Sequence, residues 1–185
     1  MARPKTRSKV YAAVVALAQD QPVGAISMER IADRAGMSKQ TLYSNWPSTG
    51  AILFEALLDR STDASGTVVI PDTGDLAVDI AALAHGTVAE LTDPLQGALL
   101  RLVAVEIQSD EKLAEQFREM LLAPQLRAIS DRFRAAGVTD AEDIAELFVG
   151  PIFHRWLLRS RPFESEWIEA HVARTLLASR VSCDS

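Results

Sequence analysis

The sequence predicts an all-α protein of about nine helices, an expectation that rests on three observations. Apolar residues recur almost everywhere at spacings of three and four, with no stretch of strict alternation. Residues that start and stop helices fall between those stretches. The β-branched run Thr67–Ile70 lies between Gly66 and Pro71-Asp72-Thr73-Gly74, where a loop is expected rather than a strand.

Taken in order, a first helix is expected over Thr6–Asp20, with Val10, Val14 and Leu17 on one face. Gln21-Pro22-Val23-Gly24 stops it, because proline cannot continue a helix and glycine adopts turn conformations cheaply. Ser27 caps a short second helix with its hydroxyl, and Gly36 ends it in the left-handed conformation that glycine favours. Ser38 caps a third over Lys39–Ser44, and Pro47-Ser48 opens a fourth that turns Ile52, Leu53, Ala56 and Leu57 inward. After a linker over Ser61–Gly74, a fifth is expected over Asp75–Thr92, with Leu76, Ile80, Leu83, Thr87 and Leu91 in register. Asp93-Pro94-Leu95-Gln96 supplies an N-cap, a proline at the first helical position and a capping-box glutamine for a sixth, reaching Gln108. A seventh is expected over Asp110–Ala136 and kinked at Pro124, whose missing N–H removes one backbone bond. Thr139-Asp140-Ala141-Glu142 reads as a capping box for an eighth, reaching Ser160 and bent at Gly150-Pro151; a ninth spans Phe163–Ser179.

A chain of 185 residues buries roughly 70% of its unfolded surface and so needs no disulfide or metal to fold. Hydrophobic residues at 48% and charged residues at 24% exclude disordered and collagen-like chains. Apolar runs fall short of the roughly 18 residues of a membrane span, so no membrane partner is expected. The basic N-terminus lacks the apolar core of a secretory leader. With Cys183 as the one cysteine, no disulfide within the chain is expected; Cys183 reads as a tail thiol and the compartment as cytoplasmic.

The net charge of −6 hides an asymmetry. Residues 1–50 carry Arg3, Lys5, Arg7, Lys9, Arg30, Arg34 and Lys39 against Asp20, Glu29 and Asp33, while the remainder is strongly acidic. A basic head on an acidic body implies that the head meets a polyanion.

Residues 27–46 explain which one. Two short helices flank a tight turn at Gly36, the helix-turn-helix arrangement. Ile31, Ala32 and Ala35 give the first helix its apolar face, Met37 fills the angle and Leu42 anchors the second helix. Lys39, Gln40, Thr41, Tyr43 and Ser44 are left facing outward, without an acid among them. Such a helix presents its first residues to base edges in the major groove of double-stranded DNA. Gln40 suits adenine and Lys39 guanine. Thr41, Tyr43 and Asn45 suit phosphate oxygens, and the basic arm Arg3–Lys9, with Arg3, Lys5 and Arg7, adds further phosphate contacts.

The block Ala32–Leu53, with Ala-Gly-Met-Ser, Thr-Leu-Tyr, Trp46 and Pro-Ser before an apolar helix, resembles the TetR family of bacterial transcriptional regulators. The run Gly150-Pro151-Ile152-Phe153-His154-Arg155-Trp156-Leu157-Leu158, followed by Arg161-Pro162-Phe163, resembles one group of TetR-type ligand domains. The resemblance implies an N-terminal three-helix DNA-binding domain over residues 1–47 and a helical ligand-binding and dimerisation domain over 48–185. It also implies a homodimer joined through the last two long helices, and a repressor that leaves a palindromic operator when a small molecule binds. Carried over by residue, Lys39, Gln40 and Ser44 are base-facing, and Ser27, Thr41, Tyr43 and Asn45 backbone-facing. The chain departs from the family pattern in having Asn45-Trp46 for His-Phe, Thr49 for a lysine, and Gly50 for an acid. Loss of that lysine throws more weight on the arm.

For an effector, the large apolar residues Phe117, Met120, Leu121 and Phe148 are the candidate pocket lining, and a mostly apolar ligand is expected. Plain core packing is the alternative for each of these, as it is for Phe153 and Trp156. His85 and His154 stand alone, no metal-ligand spacing or phosphate loop occurs, and neither a cofactor nor an enzymatic activity is expected. Two other readings stay open: an activator or effector-independent regulator, and a helical protein-interaction module.

Overall fold

The computed structural model describes residues 3–20, 26–61 and 70–183, with side chains for all of these except Asp20 and 181–183. The expected stop at Gln21–Gly24, residues 67–69 of the β-branched run and the Cys183 thiol therefore lie outside the described parts. Among the described residues the regular structure is entirely helical, without a strand.

The helices are α1 (Pro4–Asp20), α2 (Met28–Ala35), α3 (Lys39–Tyr43), α4 (Thr49–Ser61), α5 (Leu76–Thr92) and α6 (Gln96–Glu106). After them come α7 (Glu111–Phe117), a π-helical turn (Arg118–Leu122), α8 (Ala123–Ala135), α9 (Ala141–Leu158) and α10 (Ser165–Cys183). The π turn joins α7 to α8 without interruption, so the nine expected helices are present among the described residues, the seventh in three parts. The kink expected at Pro124 takes this form for a physical reason. Proline offers no N–H to the carbonyl four residues back and crowds it, and a widened turn just upstream relieves the crowding.

The described chain falls into two compact units, residues 1–65 with 93–118, and 66–92 with 119–185. In the first, α4 packs against α1 and α6, and α1 packs against α2. Thus α4, expected on the C-terminal side of a boundary at 47/48, shares a core with the head. Val10, Val14 and Leu17 of α1 are buried, as are Ile52, Leu53, Ala56 and Leu57 of α4. Gly50 lets these helices approach closely: a Cβ there would lie 2.8 Å from Leu113 Cδ2 and 3.1 Å from Glu106 Oε2, so those side chains would have to shift.

In the second unit, α8 packs on α9, and α10 on both α5 and α9. The inward face of α5 differs from expectation: Asp79, Ile80, Ala84, Val88 and Leu91 are buried, while Leu76, Leu83 and Thr87 are half-buried. A buried ion pair is the cause. Arg132 Nε lies 2.8 Å and its terminal nitrogen 2.5 Å from Asp79 Oδ2, and Thr73 donates its N–H and hydroxyl to Oδ1 at 2.9 and 2.8 Å. Burial opposes the charge on Asp79, but the bonds from Thr73 and Arg132 outweigh it and hold the carboxyl below its usual range.

Two capping expectations change in detail. Asp93 does cap α6, accepting from Leu95 and Gln96 N–H at 3.0 and 2.7 Å, but the helix starts at Gln96. The Gln96 side chain meets Arg60 and Ser61. Before α9, Asp140 stands at the N-cap without a side-chain cap bond, and Glu142 is paired with Arg134.

Candidate nucleic-acid interface

The head is built from local signals that act as expected. Ser27 caps α2 by accepting from the Arg30 N–H at 3.4 Å, and Gly36 closes it at φ +64°, with its N–H on Asp33 O and the Met37 N–H on Ala32 O. Ser38 caps α3, accepting from the Thr41 N–H at 3.2 Å. These two turns set the path of the chain from α2 into α3. Leu42, fully buried, pins α3 to the core, and Trp46, 2% exposed, closes its far end with its N–H on Leu42 O.

Pinned this way, α3 turns Lys39, Gln40, Thr41, Tyr43 and Ser44 to solvent. Tyr43 is 54% exposed, a large exposure for an aromatic ring. The Thr41 hydroxyl shares a 2.8 Å bond with Ser38 Oγ. Ser44 and half-buried Asn45 fold back, both donating to Thr41 O, at 2.9 and 2.8 Å. Lys39 Nζ lies 3.2 Å from Glu29 Oε1. The Glu29 carboxyl sits below its usual range, first through its own backbone N–H and then through Lys39.

The expected arm is largely helix. Arg3 precedes α1, its carbonyl accepting from the Thr6 and Arg7 N–H groups, and Pro4 occupies the first helical position, where its missing N–H costs nothing. Arg3, Lys5 and Lys9 are exposed, whereas Arg7 is half-buried. Arg7 Nε donates to Tyr11 Oη at 2.8 Å, and its terminal nitrogen is 3.5 Å from Glu55 Oε2. That same oxygen accepts from Tyr11 Oη at 2.6 Å and from Trp46 Nε1 at 2.9 Å. Glu55 carries no motif that marks it in the sequence. An acid in the middle of an otherwise apolar helix, between Phe54 and Ala56, was the available signal.

The candidate effector residues are placed as follows. Phe117 packs on Phe54 in the first unit, with ring centroids 6.1 Å apart. Met120 and Leu121 belong to the π turn; Met120 is exposed and Leu121 buried. Phe148 is fully buried and stacked on His171, a histidine that sequence reasoning did not single out. His171 lies between Phe148 and Trp167, with Nε2 2.8 Å from the Phe148 carbonyl, and Arg155 stands 4.1 Å over the Trp167 ring. Since a carbonyl only accepts, Nε2 carries the proton. His85 and His154 are exposed. Among the described residues, no group of His, Cys, Asp and Glu is arranged to hold a metal, and no helix is long and apolar enough to cross a membrane.

Two family models match the chain: "Bacterial regulatory proteins, tetR family" over residues 10–56, and "Tetracyclin repressor-like, C-terminal domain" over 70–175. The HTH-type transcriptional regulator YdeS of Bacillus subtilis is 29% identical over 161 residues, covering 83% of this chain and 79% of that protein. The regulator AqdR of Rhodococcus erythropolis is 30% identical over 105 residues, 57% of this chain and 49% of that one. Among solved structures, the TetR family transcription regulator SCO0332 superposes with a TM-score of 0.69 at 27% identity, covering 95% of this chain and 98% of that one. The flavonoid-responsive regulator FrrA shares the fold, at TM-score 0.65 and 23% identity over 96% of each chain.

Proposed function

The chain belongs to the TetR family and is a DNA-binding transcriptional regulator, and on that premise we propose that it is a repressor, bound to a palindromic operator as a homodimer and released by a small, mostly apolar effector. The observation that carries this reading is the acid-free face of α3, exposed from Lys39 to Ser44 and anchored by Leu42 and Trp46. Lys39, Gln40 and Ser44 read bases; Ser27, Thr41, Tyr43 and Asn45 meet the backbone, with Arg3 and Lys5 on flanking phosphates. Residues 1–47 carry the DNA-reading surface, with α4 packed against them in the same unit, and the ligand-binding and dimerising part lies within 48–185.

Exposed leucines support the dimer: Leu147, Leu157 and Leu158 on α9 and Leu177 on α10 are each about half exposed or more, on the two helices expected to pair. Two-fold symmetry would then place paired recognition helices about 34–36 Å apart, or a multiple of that, on a palindrome. Met120 and Leu121, on a π turn that can repack, and Phe148 support an apolar effector site in the second unit.

Selection of bound sequences from a random double-stranded pool at near-physiological salt tests the reading. An enriched palindrome is expected. Binding without enrichment, lost as salt rises, would leave only charge attraction and overturn it.

A further inference from the structure

Glu55 gathers three parts of the head on a single oxygen. Its Oε2 accepts from the phenol of Tyr11 on α1 at 2.6 Å and from the indole of Trp46, just beyond α3, at 2.9 Å. Arg7 closes the circuit, donating to Tyr11 at 2.8 Å and standing 3.5 Å from the same carboxylate oxygen. Burial, and then the bond into Glu55, push the Tyr11 hydroxyl up to about 12, so it keeps its proton and remains a donor.

The chain of contact leads straight to the reading surface. Trp46 is 2% exposed, and its backbone N–H is bonded to the carbonyl of Leu42, the residue that anchors α3. Without an acceptor its indole N–H would be stranded inside the core, and the ring would have to shift to reach water. Any such shift is delivered to the last turn of α3. Arg7 answers a second need. A carboxylate in the head repels DNA phosphates, and the guanidinium beside it cancels that charge.

We propose that Glu55 is a positioning residue for operator recognition: it sets the pose of α3 through Trp46 and retains Arg7 as an internal brace rather than a phosphate contact. The proposal rests on the reading of α3 as the recognition helix. It assigns the phosphate role of the N-terminal segment to Arg3 and Lys5 and withdraws it from Arg7.

The test measures binding of the full chain to its selected operator and to random DNA across a salt series, with thermal melts giving the folded fraction. Glu55→Ala should lose operator affinity by about tenfold or more, while binding to random DNA stays within about twofold because phosphate contacts persist. Glu55→Gln keeps an acceptor for Trp46 and Tyr11 and should recover most of the loss. Arg7→Ala should weaken the operator complex at an unchanged salt slope, whereas Lys5→Ala should reduce the slope by about one.

Wild-type operator affinity in folded Glu55→Ala would overturn the proposal, as would Glu55→Gln being as impaired as Glu55→Ala. A slope reduced by about one in Arg7→Ala would place Arg7 on a phosphate and overturn the brace. A wild-type chain that selects no operator overturns the underlying reading, a failure visible before any variant is made.

Discussion

Two cation–carboxylate pairs, one in each unit, have opposite consequences. Lys39 and Glu29 meet at 3.2 Å in the head, with both side chains about half exposed. Arg132 and Asp79 meet at 2.5 Å in the second unit, where Asp79 is fully buried and Arg132 is 8% exposed. Water screens the first pair and can replace either partner, so Lys39 can leave Glu29 for DNA at little cost. In the second, Asp79 is sealed from water and breaking the pair strands its charge in the core, although Arg132 keeps a second, exposed carboxylate, Asp72, 3.6 Å from its Nε. A surface meant to exchange partners is built from contacts that are cheap to break, and a scaffold from contacts that are not.

Removing Arg132 should break the scaffold side of that contrast most severely. Arg132→Met leaves Asp79 with Thr73 as a donor but without its countercharge, and should lower unfolding free energy by about 3–5 kcal/mol in a urea titration. A loss under about 1 kcal/mol would mean that the site rehydrates and behaves like the surface pair.

Gly36→Ala comes next and acts on the head. No atom lies within 4 Å of the added Cβ, so the cost is the backbone's alone, at φ +64°. It should amount to about 1–2 kcal/mol of stability, with operator affinity lower because the angle between α2 and α3 relaxes.

Acid should then discriminate between the units. Burial, opposed by the Phe148 carbonyl and aided by Arg174 and Arg155, lowers the His171 pKa below its ordinary 6.5. The unfolded chain therefore binds this proton first, so the stability His171 confers is complete above pH 6.5 and is lost as pH falls through the lower folded value. Melting temperature should fall on acidification through this window, and His171→Phe should flatten that slope. A slope unchanged in the variant would place its origin elsewhere.

The smallest effect is expected at Glu29. Glu29→Gln should leave the melting temperature essentially unchanged and tighten operator binding by no more than about threefold, by freeing Lys39. A clear drop in stability would show that the exposed pair is structural after all.

The order in which these features could be read follows the reach of the forces behind them. Ser27, Gly36 and Ser38 were legible as caps because each satisfies backbone groups within about four residues, a chemistry written in neighbouring letters. The apolar spacing of α1 and α4 announced their buried faces for the same reason. On α5 the face that the spacing predicts is slightly turned from the real one, because Asp79 points inward to a partner 53 residues away. Gln96 and Glu142 carried a capping-box pattern, and each also found a side chain from another helix.

Local hydrogen bonding and periodicity thus make the helices, the caps of α2 and α3, the short turn between them and the acid-free face of α3 legible in the sequence, while several other helix ends shift by a few residues. The packing of the helices settles that Glu55 joins Arg7, Tyr11 and Trp46, that Asp79 is buried on Arg132, and that His171 lies between Phe148 and Trp167. Most of those partners lie on other helices, and which ones meet is settled by how the helices pack, a matter of shape and desolvation summed over the whole core rather than of any one stretch of chain.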